Sequence, residues 1–229
     1  IAEVGEGTIV ESETEDKDWI NNWKQYFKPF VVEDILIKPT WEEIPQKDQD
    51  KLLIQIDPGT AFGTGMHETT QLCIRQLKKY IHSGMELLDV GTGSGILSIV
   101  GLKLGAKHAV GTDLDPNAIS AAKENMLANE ISEKQFEVQI GNIIEDSVLQ
   151  QEIGFEKYDI AIANILADII LLLQTEIAKY IKVGGYFITS GILESKRQIV
   201  ETALTENVNF ELVETITQGE WVSITARRK

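Results

Sequence analysis

From residue 86 onward, short apolar runs alternate with stretches in which apolar positions recur every three or four residues. The first pattern predicts strands and the second predicts helices packed on them. Five strands are expected in this part, at 86–90, 108–112, 136–140, 158–163 and 186–190. Helices are expected near 68–81, 96–104, 116–129, 166–181 and 193–205. The helix at 116 has a legible start, since Asp115 can cap it and Pro116 suits its first turn. Regular alternation of this kind is the signature of an α/β, doubly wound fold, a parallel sheet wrapped by helices. The end of the chain departs from it: 210–217 and 220–226 read as consecutive strands about a Gln218-Gly219 turn, a closing antiparallel hairpin.

The first 85 residues carry a different pattern. Residues 1–17 are rich in Gly and Glu, and the run ESETEDKD cannot bury itself, so this segment reads as a linker. Beginning inside such a segment predicts a fragment that has lost a preceding domain, with 18–229 as the main domain. From Asp18, the residues Trp19, Trp23, Tyr26 and Phe27 share one helical face that ends at Pro29, a pattern that fits core packing. Single strands are expected at 31–37 and 52–56, followed by a loop over 57–65.

Composition narrows the function. The 229 residues are 43% hydrophobic, enough for a full core. With 36 acidic and 21 basic side chains the formal charge is −15, which repels phosphate backbones and membrane surfaces and favours basic partners. Neither direct nucleic-acid binding nor membrane association is expected. Cys73, the single cysteine, cannot form an internal disulfide, and His67, His82 and His108 share no ligand-like spacing. The apolar stretch 160–173 is too short to span a bilayer, and a cytoplasmic location is expected.

The chemistry-bearing segment is LLDVGTGSG, an apolar run followed by Gly91, Gly93 and Gly95. Glycine can bend a strand end sharply and lets backbone N–H groups approach a ligand with no Cβ in the way. Asp113 follows Gly91 by 22 positions, the offset at which the next strand of a βαβ unit presents a carboxylate to ribose hydroxyls. A dinucleotide fingerprint requires a small residue where this chain has Ile96. The alternating glycines match proteins that bind S-adenosylmethionine, whose methionine end has no pyrophosphate, and that cofactor is favoured over a nicotinamide or flavin.

A second segment, DPGTAFGTGMHETT, lies just upstream. Together with LLDVGTGSGIL, GTDLDP, IANIL and the final GEWVSI, it closely resembles the bacterial methyltransferases that modify protein eleven of the large ribosomal subunit. The resemblance runs from about Trp19 to the end. It implies a seven-stranded, Rossmann-like methyltransferase fold, S-adenosylmethionine as cofactor, a basic ribosomal protein as substrate, and a small N-terminal recognition domain ahead of this chain. By matching residues it implies that Gly91 and Gly93 line the cofactor, that Gly95 opens the following helix, and that Asp113 holds the ribose. Thr70 matches a cofactor-contacting position, Phe62, Gly63, Thr64 and Gly65 match a flap over it, and Asn142 a neighbour of the adenine. Asn164 matches the Asn at the end of the fourth strand of the alternating part. It is expected to position the substrate amine, with its side-chain carbonyl and the Ile165 backbone carbonyl as hydrogen-bond acceptors. His67 reads as a hydrogen-bonding loop residue rather than a proton shuttle, and Trp221 as a packing residue.

Three alternatives stay open at this point. A methyltransferase of nucleic-acid base amines also uses an Asn here, followed typically by Pro-Pro-aromatic, where this chain has Ile165-Leu166-Ala167. Methylation of a small molecule or another protein is the second. The third is a cofactor-binding module without activity.

Overall fold

The computed structural model describes residues 27–57 and 65–229. The expected linker, the helical pattern at Trp19, Trp23 and Tyr26, and Phe62, Gly63 and Thr64 lie outside the described residues. Seven strands form the main sheet: β4 (Glu86–Val90), β5 (His108–Asp113), β6 (Phe136–Ile140), β7 (Tyr158–Asn164), β8 (Ile181–Leu193), β9 (Phe210–Gln218) and β10 (Trp221–Arg228), in the order β6-β5-β4-β7-β8-β10-β9. Strands β4 to β8 run parallel, while β10 is antiparallel to both β8 and β9. The chain winds outward from β4 to β6 and then crosses back to lay β7 on the other side of β4. The carboxyl ends of β4 and β7 therefore flank the point where strand order reverses, the place where such sheets open a ligand crevice.

Strand pleating sends alternate side chains to opposite faces. Leu87, Ala109, Ile160 and Ile162 join a core with Cys73, Ile74 and Leu77 of α1 (Glu68–Tyr80), Ile99 and Val100 of α2 (Ile96–Lys103), and Ala122 and Met126 of α3 (Pro116–Ala128). Leu88, Val110, Ala161 and Ala163 join the other core with Leu149 of α4 (Ser147–Ile153), Ile170 of α5 (Ala167–Leu173), and Val200 and Leu204 of α6 (Arg197–Glu206). Both faces are covered, as the expected doubly wound architecture requires. Among the described residues no helix is long and apolar enough to cross a membrane.

Several boundaries differ from expectation. The single strand expected at 31–37 is a hairpin, β1 (Phe30–Val32) and β2 (Ile35–Lys38), with Val32 opposite Ile35 and Glu33 in the left-handed region at φ 57°. Its two-residue turn carries no glycine, so the flanking apolar residues hid it. The helix expected at 166–181 ends at Leu173, a 3-10 turn covers Ile177–Lys179, and Ile181 already belongs to β8. Apolar residues recur through all three elements there, and periodicity alone does not divide them. Helix α4 was not anticipated, although Asp146 caps it by accepting the Val148 and Leu149 N–H groups.

Strand β3 (Leu52–Gln55) pairs parallel with β2 in a separate three-stranded sheet. Two amides of α3 dock the end of that sheet. Asn129 accepts the Gln55 N–H at 2.9 Å and donates to the Gln55 carbonyl at 2.6 Å, standing in for a neighbouring strand. Asn125, itself buried, accepts the Asp57 N–H at 2.8 Å and donates to the Ser94 carbonyl at 3.0 Å. The Asp57 carboxylate in turn accepts from the Thr40 N–H and hydroxyl.

Beneath the glycine loop lies Asp89, fully buried near the end of β4, where the Thr92 and Ser98 hydroxyls each donate to its Oδ2 at 2.8 Å. Burial outweighs these donors and pushes the carboxyl up to about 6. The folded protein thus holds this proton more tightly than the unfolded chain. The stability it confers is complete below about pH 4 and is lost as pH rises through about 6. Asp89→Asn removes that dependence. Between pH 4 and 7, wild type should lose about 1–3 kcal/mol relative to the variant in denaturant titrations; parallel pH profiles would contradict the assignment.

Candidate active site

At the carboxyl end of β4 the backbone takes positive φ at Gly91 (74°), Gly93 (54°) and Gly95 (80°), conformations that L side chains rarely tolerate. Three hydrogen bonds fix the resulting loop against β5. The Gly91 and Thr92 N–H groups both donate to the Thr112 carbonyl, at 2.8 and 3.0 Å, and the Gly93 N–H donates to Asp113 Oδ2 at 2.9 Å. The other Asp113 oxygen accepts the Asp115 N–H at 3.0 Å. Asp113 thus shapes the loop and the entry to α3 together, and each of its oxygens keeps lone-pair capacity.

A cavity of about 740 Å³ opens over the ends of β4 to β7. It is lined by Gly91, Gly93, Asp113, Asn142, Asn164 and Thr70, six of the positions singled out from the sequence. Gly95 and Gly65 are not in its wall. Gly95 caps α2, and a Cβ there would lie 3.0 Å from Phe136 and 3.1 Å from Ala122, so the third glycine lets the core close under the loop. Gly65 packs against Ile96 and Phe30. Asn142 accepts the Ile144 N–H at 3.0 Å, a local turn that leaves its amide on the cavity side.

Across the cavity, the Asn164 Nδ2 group donates to Thr70 Oγ1 at 3.2 Å, joining the end of β7 to the first turn of α1 over 94 residues. With the NH₂ of the amide turned to Thr70, its carbonyl oxygen is left for another partner. His67 is the cap of α1, its Nδ1 accepting the Thr69 N–H, and its ring meets Trp221 edge-on with centroids 4.9 Å apart. Both rings line the cavity. His67 is therefore a hydrogen-bonding residue as expected, whereas Trp221 packs and faces the site at once.

Sequence reading missed Gly191. It has φ 85°, lines the cavity, and a Cβ on it would lie 2.4 Å from the Ile165 carbonyl oxygen. Only a residue without a side chain lets the peptide after Asn164 lie there. The signal was a lone glycine directly behind the apolar run YFITS, but β8 continues through it and no turn announces it.

These residues fit S-adenosylmethionine. The volume is that of a small-molecule site. A Cβ on Gly91 would come within 2.6 Å of Ile165 Cγ2, so the bare glycine lets the loop and the segment after Asn164 meet at the cavity wall. A carboxylate suits a ribose diol, the apolar Leu114 and Ile143 beside it suit a purine ring, and the amide and hydroxyl lie opposite. Among the described residues no lysine or arginine lines the cavity, in keeping with a ligand that carries no phosphate.

Comparison with known proteins gives the same answer. A family profile for ribosomal protein L11 methyltransferase (PrmA) matches residues 2–229. The ribosomal protein L11 methyltransferase of Lachnospira eligens is 58% identical over 227 residues, covering 99% of this chain and 71% of that protein. The crystal structure of ribosomal protein L11 methylase from Lactobacillus delbrueckii subsp. bulgaricus superposes with a TM-score of 0.77 at 33% identity, covering 89% of this chain and all of that one. The fold alone is shared with a geranyl diphosphate C-methyltransferase from Streptomyces coelicolor, solved with S-adenosyl-L-homocysteine, at TM-score 0.56 and 12% identity, covering 68% of this chain and 76% of that one. The glycine loop, the Asp113 carboxylate beside it, the seven-stranded sheet and a family match over nearly all of this chain lead to one conclusion: this chain belongs to the ribosomal protein L11 methyltransferase family, whose cofactor is S-adenosylmethionine.

Proposed function

We propose that the chain transfers methyl groups from S-adenosylmethionine to amino groups of ribosomal protein L11, on lysine side chains or the N-terminal amine, in the cytoplasm. The observation that carries this reading is the Asn164 amide at the carboxyl end of β7, in the cavity wall, with its NH₂ engaged by Thr70. Asp113 takes the ribose hydroxyls on its remaining lone pairs, Gly91 and Gly93 admit the methionine end, Thr70 closes that end of the pocket, and Asn142 lies beside the adenine.

The cofactor supplies a methyl group made electrophilic by its sulfonium. The task left to the protein is to deliver an amine with a free lone pair along the right line at about 3–3.5 Å. An unperturbed lysine has a pKa of about 10.4, so the amine enters mostly as ammonium and must release a proton to water first. The apolar side chains of Ile165, Leu166 and Trp221 disfavour the charged form. The carbonyl oxygens of Asn164 and Ile165 then accept the remaining amine N–H bonds and aim the lone pair. The net charge of −15 attracts a basic protein and opposes the phosphate backbone of RNA.

Asn164→Ala should lower kcat by roughly 100-fold while leaving S-adenosylmethionine affinity within about threefold. Equal losses in both, or none, would refute the positioning role. Asp113→Ala should act in reverse, weakening the cofactor by roughly tenfold or more in a calorimetric titration, since it removes a charge-assisted acceptor and releases Gly93. Unchanged binding would contradict it. With labelled cofactor and ribosomal proteins lacking the modification, label should enter L11, and label in RNA would overturn the substrate assignment.

A further inference from the structure

Helix α5 follows the Asn164-Ile165 peptide directly and turns an apolar strip outward. Leu166, Ile169 and Leu172 recur every three residues, so they share one side of the helix. They are 71%, 42% and 57% exposed, while Ala167, Ile170 and Leu173 between them are buried in the core. All three strip residues also belong to the cavity wall, so the strip is continuous with the chamber that holds Asn164. Three adjacent, mostly exposed large aliphatic side chains on one short helix form a patch rather than a scattering of single surface residues.

The charge around this opening points to what covers the strip. Glu145 lines the cavity, and Glu68 and Glu220 are chain neighbours of the lining residues His67 and Trp221. None of the three forms an ion pair with another described residue. The one carboxylate on α5 itself, Asp168, is bound by Lys196 at 2.5 Å. An apolar strip continuous with a cavity that has Glu145 in its wall, and Glu68 and Glu220 next in sequence to two other lining residues, suits a polypeptide that combines aliphatic and cationic side chains.

Resting on the function proposed above, we propose that the Leu166, Ile169 and Leu172 strip docks the segment of the substrate protein that flanks its target amine. Aliphatic residues of that segment cover the strip, and neighbouring lysines face Glu145, Glu68 and Glu220. Contact with the strip places the target side chain over the cavity, where Asn164 receives it. The strip thus sets which amine enters, and the chamber sets what happens to it.

The test is the double variant Ile169→Gln, Leu172→Gln, which keeps helix-favouring residues at two exposed positions. Steady-state methylation of L11 should show KM for the protein substrate raised about tenfold, with kcat at saturation within about twofold of wild type. Cofactor affinity by calorimetry should be unchanged. An unaltered KM overturns the proposal, and a parallel loss of cofactor affinity overturns it too by assigning the strip to the cofactor pocket. A wild-type dimer in sedimentation that the variant converts to monomer makes a second copy the occupant and has the same consequence. A wild type that puts no label into L11 refutes the function reading itself, whereas a labelling wild type matched by the variant refutes the strip alone.

Discussion

The Asp113 carboxylate accepts the Gly93 N–H at 2.9 Å, and the geometry of the whole site hangs on that bond. A loop with three residues at positive φ has no intrinsic reason to hold one shape, since glycine loses more conformational freedom on ordering than any other residue. A charge-assisted hydrogen bond contributes about 1.5–3 kcal/mol toward offsetting that cost. The same carboxylate that shapes the loop also lines the cavity and accepts the Asp115 N–H at the entry to α3. The parallel pairing of β4 with β5 makes this possible by bringing Val90 level with Thr112 at the sheet edge.

Around that centre the site is assembled from parts far apart in the chain. Helix α1 brings Thr70 to Asn164 of β7, the closing hairpin brings Trp221 to His67, and Gly191 makes room for the Ile165 peptide. The bare glycine at 191 and the first turn of α1 both fix the segment at the end of β7, Gly191 admitting the Ile165 peptide and Thr70 receiving the Asn164 NH₂. On the opposite flank, Asn125 joins the glycine loop at Ser94 to the Asp57 N–H. The rigid sheet thus carries short connections whose polar ends are each tied to a second element, the arrangement that a displacement reaction needs when aim is the chief requirement.

What could be read from the sequence is what local chemistry determines. Asp115 caps α3 and Pro116 opens it as expected, and the glycines at 91 and 93 and the carboxylate at 113 meet as their spacing implied. Features fixed by tertiary contact were not legible. Gly191 stands inside a strand, so its need for a bare backbone exists only because Ile165 lies against it. Trp221 looked like packing because its second neighbour, the cavity, is formed by residues 30 or more positions away. Apolar residues dominate from 160 to 173 and return at 177–181, and periodicity alone does not divide this stretch into strand, helix and strand. At 31–37 the turn residues Glu33 and Asp34 carry none of the usual glycine or asparagine signals.

The central claim is that the glycine loop and Asp113 together hold an adenosyl sulfonium and not a dinucleotide. Isothermal titration of the purified chain with S-adenosylhomocysteine and with NAD, under identical conditions, tests it most directly. One S-adenosylhomocysteine should bind per chain with micromolar affinity or better, about −8 kcal/mol, and NAD should give no heat beyond dilution. Saturable binding of NAD with none of S-adenosylhomocysteine would contradict the account.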